Sequence, residues 1–578
     1  MRRFFLACAV VVFAGLAAPA HADTLGQSNV FRVNAFYDAS GATTVAATLR
    51  AVGQKGYFYV DDRSWSALTP EDQQRFSVEL NALSSAFDGV IYPRLTTLWG
   101  FENTPGVDGD PHVVILLQRL ITGSGGYFET INNYTKDRAP DSNAREMIFV
   151  NAESVLSGYA KSFTAHEFQH LISFNQKELL QGVEEDVWLN EGRSEYSITA
   201  AGYSEPFIGS TLERRAQAFI RSPSDSLVEW PNTSADYAVT SLFLHYVADR
   251  YGSDGLASTL RTSVAGIPSF DAWLSARGAP ERFGDVFTDW MVASILNDRS
   301  RDPRYGYATA GLQGVHVTPT MRARVDNATP RTDFSVFLQE WQPAWVTADV
   351  GTLGTTGEPV SVRVAGQGSW RGAVIAVYGD GTSTVMPFVG VSGSGDIHIP
   401  RTSVGGAGLF TITAALTQGV SQAVGTRTLL SQSATVSVAL GSIDAYTATA
   451  PVAATPSLEP RYVQPVDGDL IRRTGQSDMY VVWGKYRRYI TKEVLALYGF
   501  QDRPIRDVPD EVFFRYSASF YIREEGGKKV YAIRPEGTKH WLNITPTQWD
   551  ASGRDWGAIF TVNEREVAYY ATGRDIVQ

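Results

Sequence analysis

The spacing of apolar residues changes character near residue 335, and no single layered domain accommodates both patterns. From 154 to about 300 the apolar residues recur at helical intervals, with helices expected over 155–176, 187–202, 210–222, 234–251, 254–264 and 280–297. From 343 to 445 the chain is rich in Val, Thr, Ser and Gly, and short β-rich runs at 360–364, 373–377, 409–413 and 434–439 alternate with turn residues. A chain of 578 residues with such a break reads as multidomain. The expected division is a leader over 1–22, an α+β domain over 23–334, a β-sandwich of immunoglobulin-like size over 335–445, a Pro/Ala/Thr linker over 446–459, and a further module over 460–578.

Within the first domain, strand and helix signals alternate as far as residue 153. Tyr57-Phe58-Tyr59-Val60, the run 112–117 and the run 147–150 read as strands. Phe76, Leu80, Leu83 and Phe87 place a helix over 70–90. The result is a mixed sheet followed by a mostly helical lower half. The last module carries a weak internal duplication. Leu470-Ile471-Arg472 matches Tyr521-Ile522-Arg523, Met479-Tyr480-Val481-Val482 matches Val530-Tyr531-Ala532-Ile533, Arg487-Arg488-Tyr489-Ile490 matches Lys539-His540-Trp541-Leu542, and Asp510-Glu511-Val512 matches Arg565-Glu566-Val567. Each copy has the length of one supersecondary unit, so a two-copy α+β repeat is expected.

Arg2 and Arg3, the apolar run from Phe4 to Ala18, and Ala20-His21-Ala22 have the form of a secretory signal peptide cut before Asp23. Export is therefore expected, to a secreted or extracytoplasmic location, with no stable membrane insertion after cleavage. Cys8 is the sole cysteine and leaves with the leader. Thiol nucleophiles, thiolate metal sites and disulfides are excluded from the mature chain, which must rely on buried core and on any bound metal. Lys plus Arg count 50 and Asp plus Glu 61; without Arg2 and Arg3 the net charge is 48 − 61 = −13. That balance argues against partners held by phosphate attraction, so no nucleic acid is expected.

The segment that carries chemistry is His166-Glu167-Phe168-Gln169-His170. On a helix, positions i and i+4 share a face, so both imidazoles can reach one Zn²⁺. Glu167 is then placed to act as a base on a water without occupying the metal. A catalytic zinc needs a third protein ligand. Glu191, in Trp188-Leu189-Asn190-Glu191-Gly192-Arg193-Ser194-Glu195-Tyr196, follows His170 after 20 intervening residues, room for a loop and a second helix. Glu195 lies one turn further on the same face, where it can accept a hydrogen bond from the outer nitrogen of a ligand histidine. Glu184, Glu185 and Asp186 compete for the third position.

HEFQH followed by WLNEGRSEY resembles the gluzincin metallopeptidases, whose thermolysin-like pattern is HExxH, about twenty residues, then NExxS with Asp or Glu. A closer resemblance is to secreted bacterial hyicolysin-like peptidases, through YFYVDD, FDGVIYPRLTTLWG and the GYF turn at Gly126-Tyr127-Phe128; it covers roughly residues 30 to 300. It implies a zincin-like fold for 23–334, zinc held by His166, His170 and Glu191, Glu167 as general base, and Glu195 behind the ligands. It implies a secreted zinc endopeptidase acting on proteins or peptides. It also suggests a transition-state Tyr on a helix after the third ligand, for which Tyr237 is the candidate and His245, Tyr246 and Tyr196 the alternatives.

Asp108-Gly109-Asp110 and Asp467-Gly468-Asp469 offer carboxylates to Ca²⁺, although such turns need no ion. Tyr480, Trp483, Tyr486, Arg487, Arg488 and Tyr489 give the last module an aromatic and basic character suited to a cell-surface glycan or wall contact. Two other functions stay open from sequence. One is a surface adhesion or wall-binding protein with a non-catalytic metallo-domain. The other is a zinc aminopeptidase, although the GxMEN-type motif of those enzymes is not visible.

Overall fold

The computed structural model describes residues 22–319, 321–351, 357–366, 368–391, 396–419, 431–446, 465, 467–473, 476, 478–499, 505–508, 510–513, 516–534, 537–551 and 554–576. The expected leader lies outside these but for Ala22, and the expected linker but for Tyr446. Among the described residues no helix is long and apolar enough to cross a membrane. The chain forms two compact units, one up to residue 449 and one from 450.

The first unit opens with a mixed sheet of β1 (Ser28–Arg32), β2 (Thr44–Val52), β3 (Gly56–Asp61), β4 (Val113–Gln118), β5 (Gly126–Tyr127) and β6 (Met147–Asn151), in the order β1-β2-β3-β4-β6-β5. β3, β4 and β6 run parallel, while β1, β2 and β5 pair antiparallel with their neighbours. The central strands are covered on both faces, which is why they read as unbroken apolar runs. Phe58, Ile115 and Ile148 face the core shared with the helices, and Tyr59, Leu116 and Phe149 face a second core beneath β1 and β2.

Helix α1 (Pro70–Ala86) starts at Thr69, whose side chain accepts the Asp72 N–H, and turns Phe76, Leu80 and Leu83 to the sheet. Then come α2 (Ala160–Ser173), α3 (Val187–Ala200), α4 (Thr211–Arg221), α5 (Ser234–Tyr251), α6 (Ser253–Leu260), α7 (Gly266–Ala276) and α8 (Phe283–Leu296). The helix expected over 155–176 is interrupted: Glu153–Ser157 stops at Gly158, which takes the left-handed conformation at φ +85°, and α2 begins two residues later. The N-cap of α5 is Thr233, with Asp236 completing the capping box, and Gly252 ends the helix. α7 was not expected, because Gly266 and Pro268 look like breakers; proline is tolerated in a first helical turn.

Strands β7 (Met321–Val325), β8 (Arg331–Gln339), β9 (Ala344–Val350), β10 (Val360–Gly366), β11 (Ser369–Tyr378), β12 (Ser383–Val391), β13 (Ile397–Ile399), β14 (Leu409–Gln418) and β15 (Ser431–Leu440) make two sheets, β13-β10-β15-β8 and β12-β11-β14-β9-β7, with one shared core. They begin ahead of the expected boundary at 334/335, which falls inside β8. Trp341 packs on Phe283 and Phe287 of α8, and the Trp345 indole donates to the Met291 carbonyl at 3.0 Å. The strand region therefore packs onto the helices, with Trp341, Trp345 and Ala415 joining the helical core.

In the second unit, β16 (Leu470–Arg473), β17 (Met479–Trp483), β18 (Tyr486–Ile490), β19 (Ile505–Val508) and β20 (Ser517–Ala518) form a sheet in the order β19-β16-β17-β18-β20. β21 (Tyr521–Glu524), β22 (Val530–Ile533), β23 (Thr538–Trp541), β24 (Ile559–Val562) and β25 (Ala571–Thr572) form another in the order β24-β21-β22-β23-β25. Pairing directions agree strand for strand. Leu470, Met479 and Ile490 of the first sheet share a core with Ile522, Phe560 and Val562 of the second.

Candidate metal centre

Helix α2 is buried around most of its circumference. Its apolar residues Ala165, Phe168, Leu171 and Ile172 are enclosed, and so are Thr164, Glu167, Gln169 and His170. Polar groups held this deeply need partners. The i, i+4 spacing brings the His166 and His170 rings within 5.0 Å, centroid to centroid. Helix α3 returns Glu191 against them. Its Oε2 lies 3.3 Å from His166 Nε2 and 3.5 Å from His170 Nε2, and these three donor atoms sit within 4.8 Å of one another. Among the described residues this is the cluster of three His or acidic groups close enough to share an ion.

Glu191 Oε2 is buried and has no hydrogen-bond partner, although two imidazole nitrogens face it. A carboxylate oxygen left so, converging with two nitrogen lone pairs, fits a cation, and the N, N, O donor set suits Zn²⁺. The electrostatics agree. Burial disfavours a charged imidazole, yet Glu191 and Glu195 raise His166 to about 10. Glu191 is held far below the carboxylate range against its burial, by the two histidines. A positive charge belongs at this point, whether proton or metal.

The outer nitrogens of both rings have acceptors. His166 Nδ1 lies 3.4 Å from Glu195 Oε1. Glu195 is itself gripped by Arg215 of α4 through Nε (2.8 Å) and a terminal nitrogen (2.7 Å), which overcomes its burial and holds it at about 2. His170 Nδ1 lies 3.2 Å from Ser194 Oγ, whose hydroxyl donates to Gln169 Oε1 at 2.6 Å. Both Nε2 lone pairs are thus turned toward Glu191.

The three competing acids are placed elsewhere. Glu185 accepts from Arg193 at 2.5 Å and from the Gly266 N–H at 2.7 Å, and lies 3.5 Å from Lys177. Lys177, brought down to about 8 by burial, also donates to the carbonyls of Thr259, Thr262 and Val264. This knot ties down the loop between α2 and α3 and so fixes the return of Glu191. Glu184 lines the cleft outside the cluster. Asp186 is the N-cap residue of α3.

A cleft of about 930 Å³ runs over the cluster and takes in Tyr37, Phe128, Glu167, Glu178, Arg214 and Tyr237. Glu167 is 5% exposed, and burial pushes it up to about 7 against the pull of the two histidines. Gly126 of edge strand β5 makes room for it: a Cβ there would stand 2.6 Å from Glu167 Cγ. Gly192, next to Glu191, has the same function between helices, since its Cβ would stand 2.5 Å from Thr240 Oγ1 of α5. That close approach sets α5, and with it Tyr237, over the site. Tyr237 lies beneath the Arg215 guanidinium (4.6 Å) and edge-on to Trp230, and burial with the charges of Glu191, Glu195 and Glu167 raises its phenol.

The alternatives to Tyr237 are occupied. His245 is 1% exposed and satisfied by the Ser241 carbonyl (2.7 Å) and Thr199 Oγ1 (2.8 Å). Tyr246 donates to the Arg304 carbonyl, and Tyr196 packs on Trp99 and His245. The carboxylates of both DGD segments are likewise engaged: Asp108 with the Asp110 N–H, Asp110 with Tyr57 and His112, Asp467 with the Gly484 N–H, Asp469 with Arg506. Arg215 and the Ser194–Gln169 relay escaped the sequence reading, and Gly126 and Gly192 entered it only as members of the GYF turn and of the NEGRSE run, without their packing roles. In the relay, Ser194 had a signal, as the Ser of the NExxS pattern.

No family model matches the chain. It is similar to the neutral metalloprotease ShpI of Staphylococcus hyicus, 27% identical over 190 residues, a stretch that covers 29% of this chain and 41% of that protein. The chain thus spans less than half the length of that relative. Among solved structures there is a likeness to PliG, a periplasmic lysozyme inhibitor of g-type lysozyme from Salmonella Typhimurium, at 9% identity over 20% of this chain and 97% of that one; its TM-score of 0.11 carries no weight.

Proposed function

We propose that the chain is an exported zinc endopeptidase of gluzincin type, with a zincin-like domain over 23–334, a β-sandwich over 335–445 and a tandem repeat over 460–578. The observation that carries this reading is the unpartnered Glu191 Oε2 facing two imidazole nitrogens beside a buried Glu167. The likeness to a neutral metalloprotease supports it.

His166, His170 and Glu191 would hold the zinc, whose chemistry when bound is that of a Lewis acid for water and a peptide carbonyl. The protein groups divide the remaining work. Glu195 and Ser194 keep the Nδ1 protons of His166 and His170 away from the metal side. Glu167 takes a proton from the attacking water on a carboxylate oxygen and gives it to the departing amine nitrogen. Tyr237 donates its hydroxyl hydrogen to the carbonyl oxygen as negative charge develops there. The exposed Trp483 and Tyr489 of the second unit suit a glycan or wall surface.

Mass spectrometry of a digested peptide library, with and without chelator, tests the reading. Cleavage within peptide chains that needs metal, and that Glu167→Ala abolishes while the fold survives, is expected. Equal cleavage by metal-loaded Glu167→Ala removes the base assignment. A zinc-loaded wild type that cleaves nothing favours the non-catalytic surface protein, and trimming only from free amino ends favours an aminopeptidase.

A further inference from the structure

The loop between β1 and β2 lines the same cleft from the sheet side with two aromatic residues, Phe36 and Tyr37, of which only Tyr37 carries a hydroxyl. Tyr37 lines it together with Glu167, Glu191 and Tyr237. Its ring is fixed from behind by a stack: Tyr37 lies on Tyr127 of β5 at 4.6 Å and 12°, and Tyr127 lies on Phe149 of β6 at 4.2 Å and 5°. Tyr127 is held in turn, its hydroxyl accepting from the Asn34 N–H (3.2 Å) and from Gln118 (3.3 Å). Three parallel rings thus lock Tyr37 onto the strand next to the metal helix, and pre-organisation of this kind lowers the entropic cost of a contact with a ligand.

The hydroxyl at the end of this stack has no hydrogen bond to any described residue. Burial first, then the charges of Glu167, Glu191 and Glu129, in that order, raise the phenol above its ordinary value, so it keeps its proton. A hydroxyl on a rigid support, within electrostatic reach of Glu167 and without a hydrogen bond to any described residue, can exchange water for a bound molecule. Tyr237 reaches the cleft from the helical side, on α5, and feels Glu191 and Glu195 ahead of Glu167. The two phenols therefore address different sides of the site.

On the reading that this cleft takes peptides, we propose that Tyr37 is a substrate-binding residue whose hydroxyl hydrogen-bonds the main chain of the bound peptide beside Glu167, separately from Tyr237.

The test is Tyr37→Phe in the full-length zinc-loaded protein, since phenylalanine keeps the ring stack and removes only the hydroxyl. The expected result is a loss of about 10- to 100-fold in kcat/KM. Binding of a phosphinic peptide inhibitor should weaken to a similar degree, with zinc content and melting temperature unchanged. The double variant Tyr37→Phe/Tyr237→Phe should lose close to the product of the two single factors. Wild-type kcat/KM in Tyr37→Phe overturns the proposal and leaves the peptidase reading standing. So does a double variant no worse than Tyr237→Phe alone. A wild type that neither cleaves peptides nor binds the inhibitor removes the peptidase reading, and the proposal with it.

Discussion

Two glutamates, Glu191 in the first unit and Glu566 in the second, are buried in opposite ways. Glu566 is fully enclosed, and each of its oxygens is used: Arg488 donates at 2.6 and 3.3 Å, Tyr498 at 2.5 Å and Tyr570 at 3.0 Å. Glu191 is half-buried in the wall of a cleft, faces two histidines, and has one buried oxygen with no hydrogen bond. The first arrangement is complete within the protein and belongs to structure. The second leaves one buried oxygen facing two imidazole nitrogens without a hydrogen bond, as a ligand-holding group would. The difference lies not in the residue type but in whether the protein's own groups satisfy every oxygen.

The comparison breaks most visibly at Glu167, the base of the proposed mechanism. Glu167→Ala should lower peptide hydrolysis by about 10²–10⁴-fold, with zinc retained and the fold intact by circular dichroism. Glu566→Gln should do the reverse. Loss of one partner of a buried pair costs about 3–5 kcal/mol, so amide exchange across the described residues of 465–576 should accelerate while hydrolysis per chain holds.

Glu146 sharpens the contrast from between these extremes. It accepts from the Val107 N–H and from Asn103, yet burial still pushes it up to about 7 from 4.5. The folded state therefore keeps a proton that the unfolded state releases above about pH 4.5. Its contribution to stability is fully present below that pH and is lost as pH rises to about 7, by up to about 3 kcal/mol. Melting temperatures at pH 5 and pH 8 should differ less in Glu146→Gln than in the wild type. The smallest effect expected is at Gly126, where Gly126→Ala should displace Glu167 and lower kcat about tenfold with zinc content unchanged.

What the sequence could reveal about the site follows from chain distance. His166 and His170 are related by one helical turn, and Glu191 and Glu195 by another, so local periodicity announces both pairs. Arg215, Tyr37 and Gly126 reach the cleft from other elements, and no spacing ties them to HEFQH. Gly192 stands within the motif itself, but its reason, the approach of α5, is a packing fact. In the fold, runs such as 112–117 and 147–150 were legible because central parallel strands are apolar throughout. β7 and the start of β8 were not, because Arg322, Arg324, Arg331 and Asp333 interrupt the apolar residues of half-exposed strands. The break at Gly158 was hidden because apolar spacing continues across it.

X-ray absorption at the zinc edge, on protein loaded with one equivalent of zinc, tests the central claim most directly. Scattering from two imidazoles at about 2.0–2.1 Å and a carboxylate oxygen, reduced to one imidazole in His170→Ala, is the predicted result. A spectrum without imidazole scattering, or one that His170→Ala and Glu191→Gln leave unchanged, would contradict it.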